Sequence, residues 1–206
     1  MDKTANRRPL RSRSTRWAGV LTRALLRTPI TPNAISLAGI AFAAAGAGAF
    51  LVAPANRWYW LAGALGIQFR LLANLLDGLV AVEGGRHSPT GALFNEFPDR
   101  IEDSLLLIAA GYAAGQPLLG FGAALMAMST AYVRALGGAI GLPQDFSGPM
   151  AKQHRMAVLT LAAVLSAAFP QQPVMTIALA LSCAGTAVTC VRRLTRQARA
   201  LQEAAR

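Results

Sequence analysis

The stretch LLANLLDGLVAVEGGRHSPTGALFNEFPDRIEDSLLL, residues 71–107, sets apolar helix-forming sequence on both sides of a short polar loop. Asn74, Asp77, Glu83, Asn95, Glu96, Asp99, Glu102 and Asp103 all fall inside it. Six of the nine Asp and Glu residues in the chain lie between residues 77 and 103. Asn74 and Asp77 are three apart, so both point to one side of a helix near its end. Asn95 and Asp99 are four apart near the start of the next helix, again on one side. Glu102 and Asp103 follow one turn further on. A hairpin with a short loop then gathers the two polar faces into a cluster of oxygen ligands. Hard oxygen donors without His or Cys suit Mg²⁺, Mn²⁺ or Ca²⁺ rather than zinc.

Outward from this stretch the chain is apolar. It has 206 residues, is 54% hydrophobic and only 14% charged. Residues 33–53 and 171–191 carry no charge at all, and each is as long as the ~20 residues that cross a bilayer. The chain therefore reads as an integral membrane protein. Acids inside such segments mark an ion, proton or substrate site. The net charge of +11 does not indicate nucleic acid. Eight of the 20 Lys and Arg precede residue 28 and five follow residue 191, an end-loading that keeps termini in the cytoplasm. No apolar segment with a small-residue cleavage site follows the early charges, so a secretory signal peptide is not expected. Cys183 and Cys190 lie in the last apolar run and read as small hydrophobes.

The fold expected is all-α and polytopic: six transmembrane helices preceded by an amphipathic interfacial helix. Residues 1–28 read as a basic tail plus that helix, with residues 1–15 disordered or held against anionic lipid. Trp17, Val20, Leu21 and Ala24 share the apolar face, and Arg16, Arg23 and Arg27 lie off it. Pro29 and Pro32 end the helix. Residues 29–193 read as one membrane domain with spans near 33–53, 58–82, 91–115, 117–138, 150–169 and 172–192. Residues 194–206 form a basic cytoplasmic tail. With the N-terminus inside, the 83–90 and 139–149 loops both face the cytoplasm. In a bacterium this is the inner membrane.

The motif NLLDGLVAV, then GALFNEFPD after eight residues, resembles the signature of the CDP-alcohol phosphotransferase family, DxxDGxxAR followed by GxxxDxxxD. Asn74 takes the first Asp position, Asp77 the second, Asn95 the third and Asp99 the fourth. Gly78, Ala81 and Gly91 match the small residues. The TPN at 31–33 is similar to the approach to the family's first span, and GPMAKQHR at 148–155 to the basic start of its fifth. The resemblance implies a membrane enzyme that moves a phosphatidyl or related group from a CDP-linked donor, such as CDP-diacylglycerol, to an alcohol acceptor, releasing CMP. It implies Mg²⁺ or Mn²⁺ at Asn74, Asp77, Asn95 and Asp99, with Asp99 also the base on the acceptor hydroxyl. It further implies substrate contacts at Gly78, Ala81, Gly91, Lys152 and Arg155, a membrane lipid environment and a homodimer; Arg86 and Arg134 are further basic candidates for substrate contact, Arg134 evenly balanced with a structural role.

Three departures qualify it. Asn replaces Asp at positions 74 and 95, and Val82 replaces the Arg. The pattern is similar to a subgroup of the family with NxxDG and NExPDR forms. Glu83 or Glu96 are candidates to compensate for the lost charge, and Arg86 for the missing Arg. An alternative reading is a catalytically altered relative that binds nucleotide or lipid as an accessory protein. A cation path ranks last, because the acids cluster at one end rather than along several spans. For Asn74 and Asn95 interhelical hydrogen bonding competes with metal ligation. Glu102 and Asp103 read as partners of Arg70 or Arg100. Lys152 and Arg155 suit phosphate contact, with membrane anchoring the competing reading. His87 and His154 read as surface or polar-network residues, and Pro98 as a helix start.

Overall fold

The computed structural model describes residues 15–86 and 88–205; the expectations for the first 14 residues and for His87 lie outside them. Seven helices and no strand occur among the described residues: α1 (Arg16–Leu26), α2 (Pro32–Val52), α3 (Trp58–Glu83), α4 (Gly91–Ala113), α5 (Pro117–Ala139), α6 (Lys152–Ala168) and α7 (Val174–Ala204). The chain is all-helical, as expected. Four helices, α2, α3, α5 and α7, are long and apolar enough to cross a membrane.

Local chemistry sets most of the boundaries. Thr31 caps α2 by accepting a hydrogen bond from the Ala34 N–H at 3.2 Å, and Pro32 takes the first helical position, where its missing N–H costs nothing. Pro117 starts α5 in the same way. Gly85 and Gly115 leave α3 and α4 at φ of 61° and 67°, a conformation that favours glycine. Pro98 corrects one expectation. It lies inside α4, which already begins at Gly91, so the ring interrupts a running helix instead of starting one.

The six longer helices close a ring in the order α2, α3, α6, α7, α5, α4 and back to α2. The two motif-bearing helices do not pack as a simple hairpin. Both lie against α2 and meet each other only over a short stretch. Small residues permit this close approach: a Cβ on Gly66 would lie 2.5 Å from the Gly46 Cα, and one on Gly111 2.6 Å from the Gly120 Cα. Phe50, Ile67, Leu106, Leu107, Met156, Leu159 and Leu179 fill the ring. Gly66→Ala is expected to separate α2 from α3 at a cost of ~1–3 kcal/mol, as overpacked positions do. A lower melting temperature in detergent checks it, and an unchanged one would refute the contact.

α1 packs Ala18 against Leu75 and Leu79 of α3, while Trp17, Val20 and Leu21 face outward. α7 runs well past the expected end of its span. The turns just beyond that point are held: Arg193 donates to the carbonyls of Thr130 (2.8 Å) and Ser147 (3.0 Å), and Gln197 to that of Val133 (2.8 Å).

Candidate functional site

The acids of the opening stretch meet inside one end of the ring, where α3, α4 and α6 converge and α2 closes the back. Arg70 is fully buried one turn before Asn74 on α3. Its Nε donates to Glu102 Oε2 at 2.6 Å, its second arm reaches Asp103, and Asp99 Oδ1 lies 3.6 Å away. Arg155 of α6, also buried, donates to the other Asp103 oxygen at 2.7 Å. Lys152, at the first turn of α6, is ion-paired with Asp99 Oδ1, and Arg100 lies 3.4 Å from Asp99 Oδ2. Asn74 Nδ2 donates to Asp99 Oδ1 at 2.5 Å and to Glu102 Oε2 at 3.0 Å. Asp77, four per cent exposed, accepts from Ser36 of α2 at 2.6 Å.

Four carboxylates (Asp77, Asp99, Glu102 and Asp103) thus face four cations (Arg70, Arg100, Lys152 and Arg155). Buried charges tolerate this setting only when they are paired and hydrogen-bonded. Sequence spacing brings the acids together as expected, and Arg70 pairs with Glu102 and Asp103, as the expectation of an Arg70 or Arg100 partner for them has it. Spacing does not show that α6 supplies the other counter-charges. Among the described residues no group of three or more Asp, Glu, His or Cys is gathered closely enough to hold a metal as it stands. The donors nevertheless suit an oxygen-preferring divalent ion in kind: carboxylates of Asp77 and Asp99, amide carbonyls of Asn74 and Asn95. Asp77 Oδ1 is buried and has no hydrogen-bond partner among the described residues, the condition that a cation would relieve. Asn95 is exposed on α4, one turn before Asp99.

The remaining candidates divide. Gly78 and Ala81 continue α3 past Asp77, and Gly91 opens α4. Arg134 on α5 pairs with Glu96, donates to Gln144 Oε1 at 3.2 Å and stacks over Phe146 at 4.9 Å. Arg86 is committed elsewhere. It donates to the carbonyls of Leu26 (3.1 Å), Thr28 (3.0 Å) and Ile30 (2.7 Å), tying the loop between α3 and α4 to the end of α1. His154 is exposed.

Two contributors escape the sequence. Ser36, the partner of Asp77, is one serine in an apolar run. Arg193 reads as one more basic residue near the terminus. In the structure it is buried and in electrostatic range of Asp145 as well as of Arg134 and Arg155, although among the described residues no carboxylate lies within ion-pair distance of it. The loop before α6 is stapled by Asp145, which accepts from Ser147 and from Arg196 at 3.2 Å. Partial burial pushes the Asp145 carboxyl up, but these hydrogen bonds outweigh it and hold it below the usual carboxylate range.

No family model matches the chain. Individual proteins do. It is 31% identical over 184 residues to phosphatidylinositol phosphate synthase of Mycobacterium tuberculosis, covering 84% of this chain and 82% of that protein. It is 33% identical over 142 residues to archaetidylinositol phosphate synthase of Aeropyrum pernix, covering 68% and 70%. Crystal structures of the M. tuberculosis enzyme superpose on it at 25% identity. One has CDP-DAG bound, with a TM-score of 0.75 over 89% of this chain and 94% of that one. Another is in complex with manganese and citrate, with a TM-score of 0.76 over 87% and 88%.

Proposed function

We propose, for a chain that belongs to the CDP-alcohol phosphotransferase family, phosphatidyl transfer from CDP-diacylglycerol to a phosphorylated polyol with release of CMP. The enzyme class and its place in phospholipid synthesis follow from relatives that share most of the chain. The observation that carries the finer reading is the charged cluster itself: Asp99 sits at its mouth with one proton-accepting carboxylate, flanked by Lys152 and Arg70.

Asp77 and Asp99, with Asn74 and Asn95, would hold Mg²⁺ or Mn²⁺. When bound, the ion supplies charge neutralisation for the pyrophosphate and the departing CMP. The protein's own residues do the rest. Lys152, whose hydrogen-bond partner among the described residues is Asp99, can exchange that partner for a donor phosphate, and the freed carboxylate then takes the acceptor's hydroxyl proton. The hydroxyl oxygen bonds to the phosphorus that carries diacylglycerol, and the bond from that phosphorus to the bridging oxygen of CMP breaks. CMP leaves with that oxygen. Gly78, Ala81 and Gly91 leave room for the nucleotide beside the two helices.

Arg134, Arg155 and Arg193 supply three guanidinium groups near the loop before α6. Such a group suits an acceptor that already bears a phosphate, as the names of the inositol phosphate synthases suggest. In the membrane, α2 to α7 all cross and residues 29–193 form the embedded domain. α1 lies in the interface with Trp17, Val20 and Leu21 toward lipid, and both termini and the site face the cytoplasm. The side chains of Leu65, Leu118, Leu125, Leu161, Ile177 and Leu181 stand outward on α3, α5, α6 and α7, a surface suited to lipid.

Purified protein given Mn²⁺, CDP-diacylglycerol and a panel of acceptors tests the reading. Inositol phosphate is expected to support CMP release and free inositol is not. Equal turnover with both would refute the phosphate requirement. Binding of CDP-diacylglycerol with no CMP released with any acceptor would favour the accessory reading.

A further inference from the structure

Asn74 stands where the family signature has aspartate, and its surroundings supply a physical reason. Its amide lies between two carboxylate oxygens, Asp99 Oδ1 at 2.5 Å and Glu102 Oε2 at 3.0 Å. Ionised carboxylates only accept hydrogen bonds, so the NH₂ end of the amide must face them. Glu102 cannot retreat. It is fully buried, its Oε2 is held by Arg70 Nε at 2.6 Å, and its Oε1 lies against α2 where Gly39 leaves the space. A Cβ at Gly39 would lie 2.5 Å from that oxygen and 3.4 Å from Asn74 Oδ1. The amide therefore has one orientation open to it, NH₂ toward α4 and Oδ1 toward α2. An aspartate in the same place would set a third carboxylate against Glu102 and Asp99 and remove the neutral donor that now touches both.

We propose that Asn74 and Glu102 are a matched pair in which the Asn74 amide bridges Glu102 to Asp99 and holds Asp99 in its working position. The amide does the work of a cation between the two carboxylates, so only one of positions 74 and 102 can be an acid. Asn74 is thus a positioning residue for Asp99, and Arg70 fixes the pair from behind. Asp77 is then the carboxylate that the two α3 signature positions, 74 and 77, offer to a divalent ion. The inference rests on reading Asp99 as the base of a phosphatidyltransferase, but its first readout is independent of activity.

The test compares wild type, Asn74→Asp, Glu102→Gln and the double variant. The double variant keeps the net charge and exchanges donor and acceptor, the new glutamine amide donating to the new aspartate. In EDTA, Asn74→Asp is expected to melt below wild type, and the added Glu102→Gln to raise it back to the level of Glu102→Gln alone. With Mn²⁺ and substrates, Asn74→Asp is expected to lose ~10–100-fold in kcat, as lost supporting contacts do, with KM for CDP-diacylglycerol unchanged. The double variant is expected to recover most of that loss. An Asn74→Asp protein that melts and turns over like wild type overturns the pairing, and so does a double variant no better than Asn74→Asp. If Asn74→Asp does not fold, Asn74→Ala removes the donor without adding charge. It is expected to lower kcat at constant KM, and wild-type kcat there also overturns the proposal. A wild-type protein that releases no CMP defeats the functional reading instead, and the melting comparison still decides the pairing.

Discussion

Asp99→Asn is expected to lower CMP release by ~10²–10⁴-fold, the usual contribution of a positioned general base. The substitution keeps the shape of the side chain, its place on α4 and an oxygen to accept from Lys152. What it removes is the ability to take a proton. Asp99 is suited to that task by position: its side chain is 14% exposed, whereas those of Glu102 and Asp103 are 0% and 3% exposed and are locked to arginines. Among these three acids of α4, only Asp99 can reach a substrate hydroxyl entering from the loop side. Asp99→Ala is expected to lose as much, with added disorder of Lys152. Steady-state CMP release measured beside CDP-diacylglycerol binding separates the effects. Wild-type turnover in Asp99→Asn would remove the base assigned here.

Arg70→Met is expected to produce the largest loss of stability, ~3–5 kcal/mol, the cost of breaking a buried pair from one side. The loss falls unevenly. Asp103 keeps Arg155 at 2.7 Å, but Glu102 is left with the Asn74 amide alone. Because α3 and α4 meet only briefly, this guanidinium spans the gap that apolar packing would otherwise close. Arg70→Lys is expected to fall between the two. A point charge can neutralise one acid but cannot present the two-armed fork that reaches Glu102 and Asp103 together. Thermal melting in detergent checks the order wild type, Lys, Met. An Arg70→Met protein that melts with wild type would mean that the network carries no stability.

The sequence shows the helices plainly because punctuation surrounds them. Pro32 and Pro117 open helices, Gly85 and Gly115 close them, and the uncharged runs between have the length of a bilayer. The gathering of Asn74, Asp77, Asp99, Glu102 and Asp103 is legible too, since spacings of three and four fix a helical face. Helix partners are less legible. α2 shows no polar face, so nothing in its sequence says that both motif helices lean on it; Gly46 and Gly66 reveal this only once they are in contact. Arg70 is legible as a partner of Glu102 and Asp103, but the counter-charges from α6 are hidden. Lys152 and Arg155 lie some fifty residues beyond the acids they pair with, and Ser36 and Arg193 carry no pattern of their own. Pro98 misleads because proline ordinarily marks a helix boundary, whereas here α4 begins about two turns before it and continues for about four turns beyond it.

The most direct test of the central claim is CMP release by the wild-type protein from CDP-diacylglycerol and inositol phosphate, with Mn²⁺ present or removed by EDTA. The expected result is turnover that appears with Mn²⁺, disappears with EDTA and returns when the ion is restored. CMP release unaffected by EDTA would contradict the metal-assisted transfer proposed for Asp77 and Asp99, and no CMP under any condition would contradict the activity itself.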